Sequence, residues 1–270
     1  MEEKSRNSGV DAVGKIRCGT HFCQLYQTEQ DLMDIVIPYT AAGLENNEFC
    51  IWILPDILVM EEAKKALKKI PNIDTYFEKR QIEIISFSDF HLKEELLKSK
   101  GALNFWNKKL EQALNSGYSG LRVVENNNFQ EKNSSCVEKE SWNDLLDYEQ
   151  NLNFFVNEDK KHKILFLCTY ELGLCSPVEI IELSKIHHFV LAKKQEKWKL
   201  LETSIQRNRA ERFQTEEKLE GKKLEEEKIE PEKGCQNIKE LHNPEKEIHN
   251  GYKEIQAQSE KLQEFKEFNE

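Results

Sequence analysis

Several residues with ligand-type side chains stand where predicted strands end. Glu125 and Asn126 directly follow the apolar run 120–124, and Thr169 and Tyr170 stand at the end of a later apolar run. Ligands of open α/β sheets bind beyond the carboxyl ends of the strands, so we expect these side chains to line a site. At this position a nucleotide hydrolase would hold a metal ion or activate water with the Glu125 carboxylate. The alternatives are a carboxylate that accepts bonds from backbone N–H groups and a turn-forming asparagine.

The first predicted strand adds His21 and Tyr26, one at each end. A neutral imidazole at His21 has the chemistry to bind a small ligand or a metal ion. The alternative is a half-buried histidine that is simply hydrogen-bonded, because the sequence offers it no obvious carboxylate partner. We expect Tyr26 to face the same ligand site as the other strand-end residues.

Aromatic residues of the second half could form the apolar wall of a pocket. Trp142, Tyr148 and Tyr170, with Trp106, would suit a small organic ligand held by few polar groups. Trp106 and Trp142 lie in predicted helices, where a core position is the alternative. The expected ligand-binding set is therefore as follows: His21, Tyr26, Glu125, Asn126, Trp142, Tyr148, Thr169 and Tyr170.

The seven cysteines do not have the spacing of a metal knuckle. Cys18 and Cys23 are separated by four residues and Cys168 and Cys175 by six, whereas zinc knuckles use shorter separations. We therefore predict no metal and no cofactor, and interpret Cys23 and Cys168 as small core residues. Cys175 precedes a predicted helix, which would make a redox-sensitive thiolate if the helix N-terminus stabilised it.

Catalytic motifs are missing from the sequence. The chain lacks a Gly-x-Ser-x-Gly elbow, an arguable Ser-His-Asp order and a Gly-x4-Gly-Lys-Ser/Thr phosphate loop. We therefore do not expect an enzyme.

Apolar runs alternate with helical patterns along residues 18–203. This alternation predicts a three-layer α/β fold, with a mostly parallel sheet, helices on both faces and a terminal β-hairpin. Thr28 and Asp31 form a near capping box, Pro38 predicts a kink or broken turn, and Ser176 starts the last helix. The predicted strands are residues 21–27, 49–54, 81–87, 120–124, 163–169, 189–193 and 197–202. The predicted helices begin at 28, 59, 102, 138 and 176.

Composition divides the 270 residues into three parts. Residues 1–17 are polar and predicted to be disordered, residues 18–203 form the domain, and residues 204–270 are a charged helical tail with 17 acidic and 13 basic residues. Ile248, Tyr252, Ile255 and Leu262 have a short coiled-coil-like spacing. A solvated tail and a dimerising, signal-transmitting helix remain open alternatives. The net charge of −10 argues against direct nucleic-acid or membrane-surface binding. The absence of a secretory or membrane-spanning segment predicts a cytoplasmic protein.

Residues 19–202 resemble a known sensory domain. The similar pieces are Gly19–His21, Leu25-Tyr26, Asp31-Leu32, Pro38-Tyr39, Ala42–Cys50, residues 81–84, residues 120–123, Trp142, Asp147–Glu149 and Cys168–Tyr170. Together they are similar to the MEDS domain of methanogens and methylotrophs. The segment 127–137 is longer than the usual connection of that family.

The resemblance implies a cytosolic input domain for small hydrocarbon derivatives, often joined to histidine-kinase or DNA-binding segments of two-component systems. It also implies a relative of the RecA/KaiC ATPase fold, here without a phosphate loop. We therefore expect a non-enzymatic sensory module that binds a small organic ligand and signals through its tail to a kinase or transcriptional regulator. A homodimerising interaction protein is the first alternative, and a degenerate nucleotide-binding relative is the second.

Overall fold

The computed structural model describes residues 5–55, 58–86, 89–90, 99–127, 142–157 and 163–203. The predicted charged tail, its coiled-coil-like spacing and most of the segment 127–137 lie outside these residues. The strands are β1 (Ser5–Asn7), β2 (Lys15–Arg17), β3 (His21–Tyr26), β4 (Phe49–Ile53), β5 (Ile82–Ile85), β6 (Leu121–Asn126), β7 (Ile164–Glu171), β8 (Phe189–Lys194) and β9 (Lys197–Glu202). The helices are α1 (Glu29–Glu45), α2 (Met60–Leu67), α3 (Ile73–Glu78), α4 (Ser99–Asn115), α5 (Trp142–Asn157) and α6 (Pro177–Ile186).

A seven-stranded sheet forms the middle layer, in the order β5-β4-β6-β7-β3-β8-β9. Every neighbouring pair is parallel except β8 and β9, which form the antiparallel terminal hairpin. The predicted mostly parallel sheet is therefore confirmed. Strands β3, β6 and β7 are buried almost throughout, as expected for central parallel strands that are covered on both faces.

Two apolar layers cover the two faces of the sheet. Each strand contributes to both layers, because successive strand residues point to opposite faces. Phe22 packs with α1, α2 and α3 on one face, whereas Cys23 packs with α4, α5 and α6 on the other. The predicted helices on both faces are thus confirmed. The second face, which we call the α5 face, carries the polar groups described below.

Local capping signals act as the sequence predicts. Thr28 and Asp31 form a complete capping box at the start of α1, and Ser176 and Glu179 form another at the start of α6. Each box satisfies backbone N–H groups that the first helical turn leaves without partners. Helix α1 continues through Pro38 within its 17 residues, so the predicted broken turn does not occur.

Residues 5–17 form a hairpin of β1 and β2, where the sequence predicts disorder. Val10 and Ile16 are each only 5% exposed, so the segment buries apolar surface against the domain. Gly9 has a φ of +79°, and a Cβ there would lie 2.0 Å from the Pro38 carbonyl oxygen. The polar composition concealed this ordering because its cause is a long-range contact with α1.

A buried ion pair fastens the hairpin to the sheet. Arg122 on β6 donates through Nε to the Glu48 carboxylate at 2.5 Å, and Arg6 on β1 pairs with the same carboxylate. Arg122 also donates to the carbonyl oxygens of Tyr39 and Asn7 at 2.9 and 3.0 Å. Gly43 permits this arrangement, because a Cβ there would lie 2.5 Å from Arg122 Cδ.

Replacing Glu48 should strongly destabilise the domain. Glu48→Gln leaves the buried Arg122 guanidinium without its counter-charge, a change that costs about 3–5 kcal/mol in comparable buried pairs. Urea unfolding of the full chain measures the loss. The control Glu61→Gln removes a carboxylate that is 84% exposed and pairs with the neighbouring Lys64, so it should change stability by less than about 1 kcal/mol. Equal unfolding midpoints for the two variants would contradict the assignment.

Candidate functional site

Four ionisable or metal-ligating side chains converge beneath α5. We call His21, Glu149, Cys168 and His187 the Glu149 cluster; their ligand-type atoms all lie within 4.8 Å of one another. His21 Nε2 lies 2.9 Å from Glu149 Oε2, and His187 Nε2 lies 3.4 Å from the same oxygen. Cys168 Sγ lies 3.2 Å from His21 Nε2 and 3.7 Å from Glu149 Oε2. All four side chains are fully buried.

Four separate elements supply these side chains. His21 begins β3, and Cys168 lies on β7 in register with Cys23, so both project onto the α5 face. Glu149 lies on α5, and His187 is the C-cap residue that directly follows α6. The cluster therefore lies over the interior of the sheet and not beyond its carboxyl edge.

The second oxygen of Glu149 is also satisfied. Oε1 accepts a hydrogen bond from the Tyr170 hydroxyl and another from Asn127 Nδ2 at 2.5 Å. Strand β7 and the residue after β6 thus hold one carboxylate oxygen and leave the other facing the histidines. A buried carboxylate requires such partners, because each unmet lone pair in the interior is costly.

The charges of the cluster follow from its burial. Burial alone raises the pKa of Glu149, but the neighbouring imidazoles of His187 and His21 outweigh it and hold that pKa below its usual value. Burial and the neighbouring His187 lower the pKa of His21 to about 4. Burial also lowers the pKa of His187, yet Cys23 and Glu149 raise it well above the usual value. His187 is therefore the more basic of the two histidines.

A second polar group lies beside the cluster on the same face. The Tyr148 hydroxyl donates to the Glu125 carboxylate, 2.8 and 3.0 Å from its two oxygens, and accepts from Trp106 Nε1 at 2.9 Å. Burial and the nearby carboxylates raise the pKa of Tyr148 well above its usual value, so the hydroxyl keeps its proton. Glu125 is therefore bonded to a side chain.

A third group lies across the sheet. Asn126 Nδ2 lies 3.2 Å from the Tyr26 hydroxyl and 3.0 Å from Thr169 Oγ1, and Tyr26 belongs to the apolar layer of α1. Trp142 lies at the start of α5 and donates to Glu182 Oε2 on α6 at 2.7 Å. The eight predicted ligand residues thus divide between two faces, with His21, Glu125, Tyr148, Tyr170 and Trp142 on the α5 side.

Two sequence expectations are corrected by this arrangement. The alternative for His21, a half-buried histidine without an obvious carboxylate partner, does not hold, because His21 is fully buried and contacts Glu149. Tyr170 was expected beyond the end of a strand, but β7 continues to Glu171 and buries Tyr170 within the sheet. In both cases the partner comes from α5, which lies far away along the chain.

Sequence reasoning missed Glu149 and His187 and treated Cys168 only as a core residue. One usable signal was present: Leu145, Glu149, Leu152 and Val156 recur at the spacing of a buried helical stripe, and Glu149 is the charged member. A carboxylate on an apolar helix face needs buried partners. The histidine pair before β8 had no comparable signal.

The donors of the Glu149 cluster are of the types that bind transition metals. Two imidazole nitrogens, one thiol sulfur and one carboxylate oxygen suit zinc and its neighbours better than calcium or magnesium, which prefer oxygen. The sequence prediction of no metal rested on cysteine spacing, which cannot report ligands that come from four elements.

Comparison with known proteins identifies the family. The family model described as the methanogen/methylotroph DcmR sensory domain, MEDS, matches residues 20–188, more than half of the 270-residue chain. The chain belongs to the MEDS family. The resemblance stated from the sequence is therefore confirmed. No curated protein matches the chain.

Two solved structures have a similar arrangement to this MEDS chain. A KaiC-like protein from the hyperthermophilic archaeon Pyrococcus horikoshii OT3 is 14% identical, with a TM-score of 0.48, over 73% of this chain and 86% of that one. The flagellar accessory protein FlaH from Methanocaldococcus jannaschii is 12% identical, with a TM-score of 0.44, over 74% and 85%. Within the described residues of the MEDS chain, every helix is too short or too polar to cross a lipid bilayer.

Cys175 differs from the redox-sensitive thiolate that the sequence allowed. Burial, with further contributions from Glu179, Cys23 and Glu171, raises the pKa of its thiol from 9.0 to about 11. The carboxylate of Glu179 closes the capping box near the thiol and opposes its ionisation. The helix N-terminus therefore does not produce a reactive thiolate.

Alkylation of Cys175 should accordingly be slow and dependent on pH. At pH 8 the folded chain should react with iodoacetamide roughly 100-fold more slowly at Cys175 than the urea-unfolded chain, because only the thiolate reacts. Peptide mass spectrometry measures both rates. The ratio of the unfolded to the folded alkylation rate should shrink above pH 9, where the thiol of the unfolded chain is already largely ionised. A ratio that stays constant with pH would indicate restricted access instead and would contradict the raised pKa.

Proposed function

We propose that this MEDS chain is a non-enzymatic input module that binds a small organic molecule on the α5 face and signals through residues after Thr203. Membership of a sensory-domain family supports the signalling role. The described cysteines are free thiols, which fits the reducing cytoplasm we propose for it. The ligand class remains that implied by the family resemblance, a small hydrocarbon derivative.

One chain of contacts carries the proposal. Glu149 Oε2 lies 3.4 Å from His187, and the Thr203 hydroxyl lies 2.7 Å from the carbonyl oxygens of both His187 and His188. Thr203 is the last described residue and leads directly into the tail. A change beneath α5 therefore has a short mechanical route to Thr203, the last described residue.

The ligand would enter beside the first turns of α5. Trp142 and Tyr148 are both partly buried there, next to the Glu125 carboxylate, and such aromatic surfaces with one polar group suit small organic molecules. Trp142 is bonded to Glu182 on α6, and α6 ends at His187. Displacement of Trp142 would thus act on the same helix that supplies His187.

Strand β8 follows His187 and His188, and its contacts hold the route from Glu149 through His187 to Thr203, which we call the relay. Lys193 on β8 lies 2.7 Å from Asp31 Oδ1 and 3.6 Å from Asp34 Oδ2, both on α1. The backbone N–H of His188 donates to the His21 carbonyl oxygen at 2.9 Å. Strand β8 is therefore held at both ends, and a ligand can shift its packing only by binding one arrangement more tightly than another.

No catalytic step belongs to this proposal. The phosphate loop of an ATPase is missing from the sequence, and both Glu125 oxygens lie within hydrogen-bond distance of Tyr148. The downstream partner we propose is a histidine kinase or a transcriptional regulator that binds the tail. This MEDS chain would bind it either as a monomer or as a homodimer.

Native mass spectrometry of the full-length protein tests ligand binding. The chain as purified, and the chain mixed with one- and two-carbon compounds bearing halogen, hydroxyl or amine groups, should retain an added mass that denaturation removes. Trp142→Ala should lose that mass. Phe154→Ala is the matched control, because Phe154 lies on the same helix but is 74% exposed. A bare protein under every condition, with identical spectra for the two variants, would reject ligand binding and favour the dimerising interaction protein.

Hydrogen exchange tests the relay. Saturation with the compound that mass spectrometry selects should change exchange in β8, β9 and the residues beyond Thr203. Thr203→Val removes the hydroxyl that bonds the carbonyl oxygens of His187 and His188. It should therefore weaken the ligand-induced change in exchange beyond residue 203, while the bound ligand is still seen as an added mass. Thr75→Val, an exposed substitution on α3, should behave as the wild type. Unchanged exchange in 189–230 of the saturated wild type would refute the coupling.

A further inference from the structure

The Glu149 cluster has the composition and size of a metal site. A tetrahedral zinc ion with bonds of about 2.0–2.3 Å requires ligand atoms roughly 3.3–3.7 Å apart. Four of the separations between these ligand atoms are 2.9, 3.2, 3.4 and 3.7 Å, and all of the atoms lie within 4.8 Å of one another. A small expansion would admit an ion among the four atoms, without any new side chain entering the site.

One ligand atom lacks the partner that its position demands. His187 Nδ1 lies 2.9 Å from the Leu183 carbonyl oxygen, and that bond requires the ring proton to lie on Nδ1. His187 Nε2 is buried and has no hydrogen-bond partner among the described residues, although it faces the Glu149 carboxylate. When the imidazole is neutral, Nε2 therefore directs a lone pair into the cluster, as a metal ligand does.

The groups around two of the ligands, His187 and Glu149, match the outer shell of a metal site, whereas His21 Nδ1 has no hydrogen-bond partner among the described residues. Ligating histidines generally donate their other ring N–H to a carbonyl or carboxylate, as His187 does to Leu183. Ligating carboxylates are in turn held by hydrogen bonds, and Tyr170 and Asn127 both hold Glu149 Oε1. Both bonds leave Oε2, the oxygen nearest the two histidines, available to an ion.

Charge balance also favours a divalent cation. Two neutral imidazoles, one carboxylate and one thiolate carry two negative charges, which a divalent ion neutralises in a fully buried site. Isolated buried charge is strongly disfavoured, so a neutral assembly is the one that burial permits.

We propose that His21, Glu149, Cys168 and His187 bind one divalent transition-metal ion, with zinc as the ion that this mixed nitrogen, sulfur and oxygen set favours. Four protein ligands close the coordination sphere, which is typical of structural rather than catalytic zinc. The ion would join β3, β7, α5 and the end of α6. The site needs neither the organic ligand nor the tail, so it stands or falls separately from the proposed sensory role.

Metal content and cobalt spectroscopy of the full-length protein test the site. Protein purified without chelator should contain about one zinc ion per chain, with X-ray absorption showing one sulfur at about 2.3 Å and three nitrogen or oxygen atoms at about 2.0–2.1 Å. Co²⁺ added to the metal-free chain should give visible tetrahedral bands and a thiolate-to-cobalt charge-transfer band. A folded wild type that binds neither Zn²⁺ nor Co²⁺, or a zinc spectrum without sulfur, would overturn the proposal.

Variants separate ligands from structural neighbours. Cys168→Ser should abolish the charge-transfer band, whereas Cys175→Ser, a partly buried cysteine outside the cluster, should retain it. Tyr170→Phe should retain the band but weaken Co²⁺ binding about 10–100-fold, the range measured when an outer-shell bond is removed. An unaltered band in folded Cys168→Ser would refute the assignment. If that variant does not fold, the wild-type sulfur signal and the Tyr170→Phe affinity decide the question.

Discussion

The carboxylate of Glu149 imposes the constraint on which the α5 face depends. A carboxylate removed completely from water must receive hydrogen bonds or counter-charge on both oxygens, or the helix that carries it cannot pack. Tyr170 and Asn127 hold one oxygen, and the two histidines face the other. Because these partners come from β3, β7, the end of β6 and the end of α6, one side chain determines how five elements meet.

The fold places two of its buried carboxylates, Glu48 and Glu149, on opposite faces and gives them different partners. Glu48 pairs with two arginines, which remain charged at every accessible pH, so that site can only fasten the N-terminal hairpin to the sheet. Glu149 pairs with histidines and a thiol, groups that can lose protons or bind an ion. The first arrangement is suited to permanent attachment, whereas the second can exist in more than one state. This difference in chemistry explains why the α5 face, and not the hairpin, is the plausible place for a signal to begin.

Sequence reasoning recovered what depends on local pattern. Continuous apolar runs predicted the central parallel strands, and the capping boxes at Thr28 and Ser176 predicted where α1 and α6 begin. It failed where the decisive partner is distant in sequence: residues 5–17 are ordered by α1 and by Glu48, and His21 is buried by Glu149, which lies 128 positions later. Glu149 itself was detectable as the charged member of an apolar helical stripe, but His187 was not, because nothing near it in sequence reveals that α6 ends beside Glu149.

The position of His187 unites the two proposals without making either depend on the other. Its ring faces Glu149, and its carbonyl oxygen is held by Thr203, the residue at which the described domain ends. Any event that shifts the backbone of His187, whether binding of an ion or displacement of α6 through Trp142, would also disturb that hydrogen bond. A closed metal site would stiffen this junction and thereby limit how far a ligand could shift it. A site lacking the ion would leave the junction held only by a charged hydrogen-bond network, which a ligand could rearrange at lower cost. The ion would then determine the sensitivity of the relay rather than its existence.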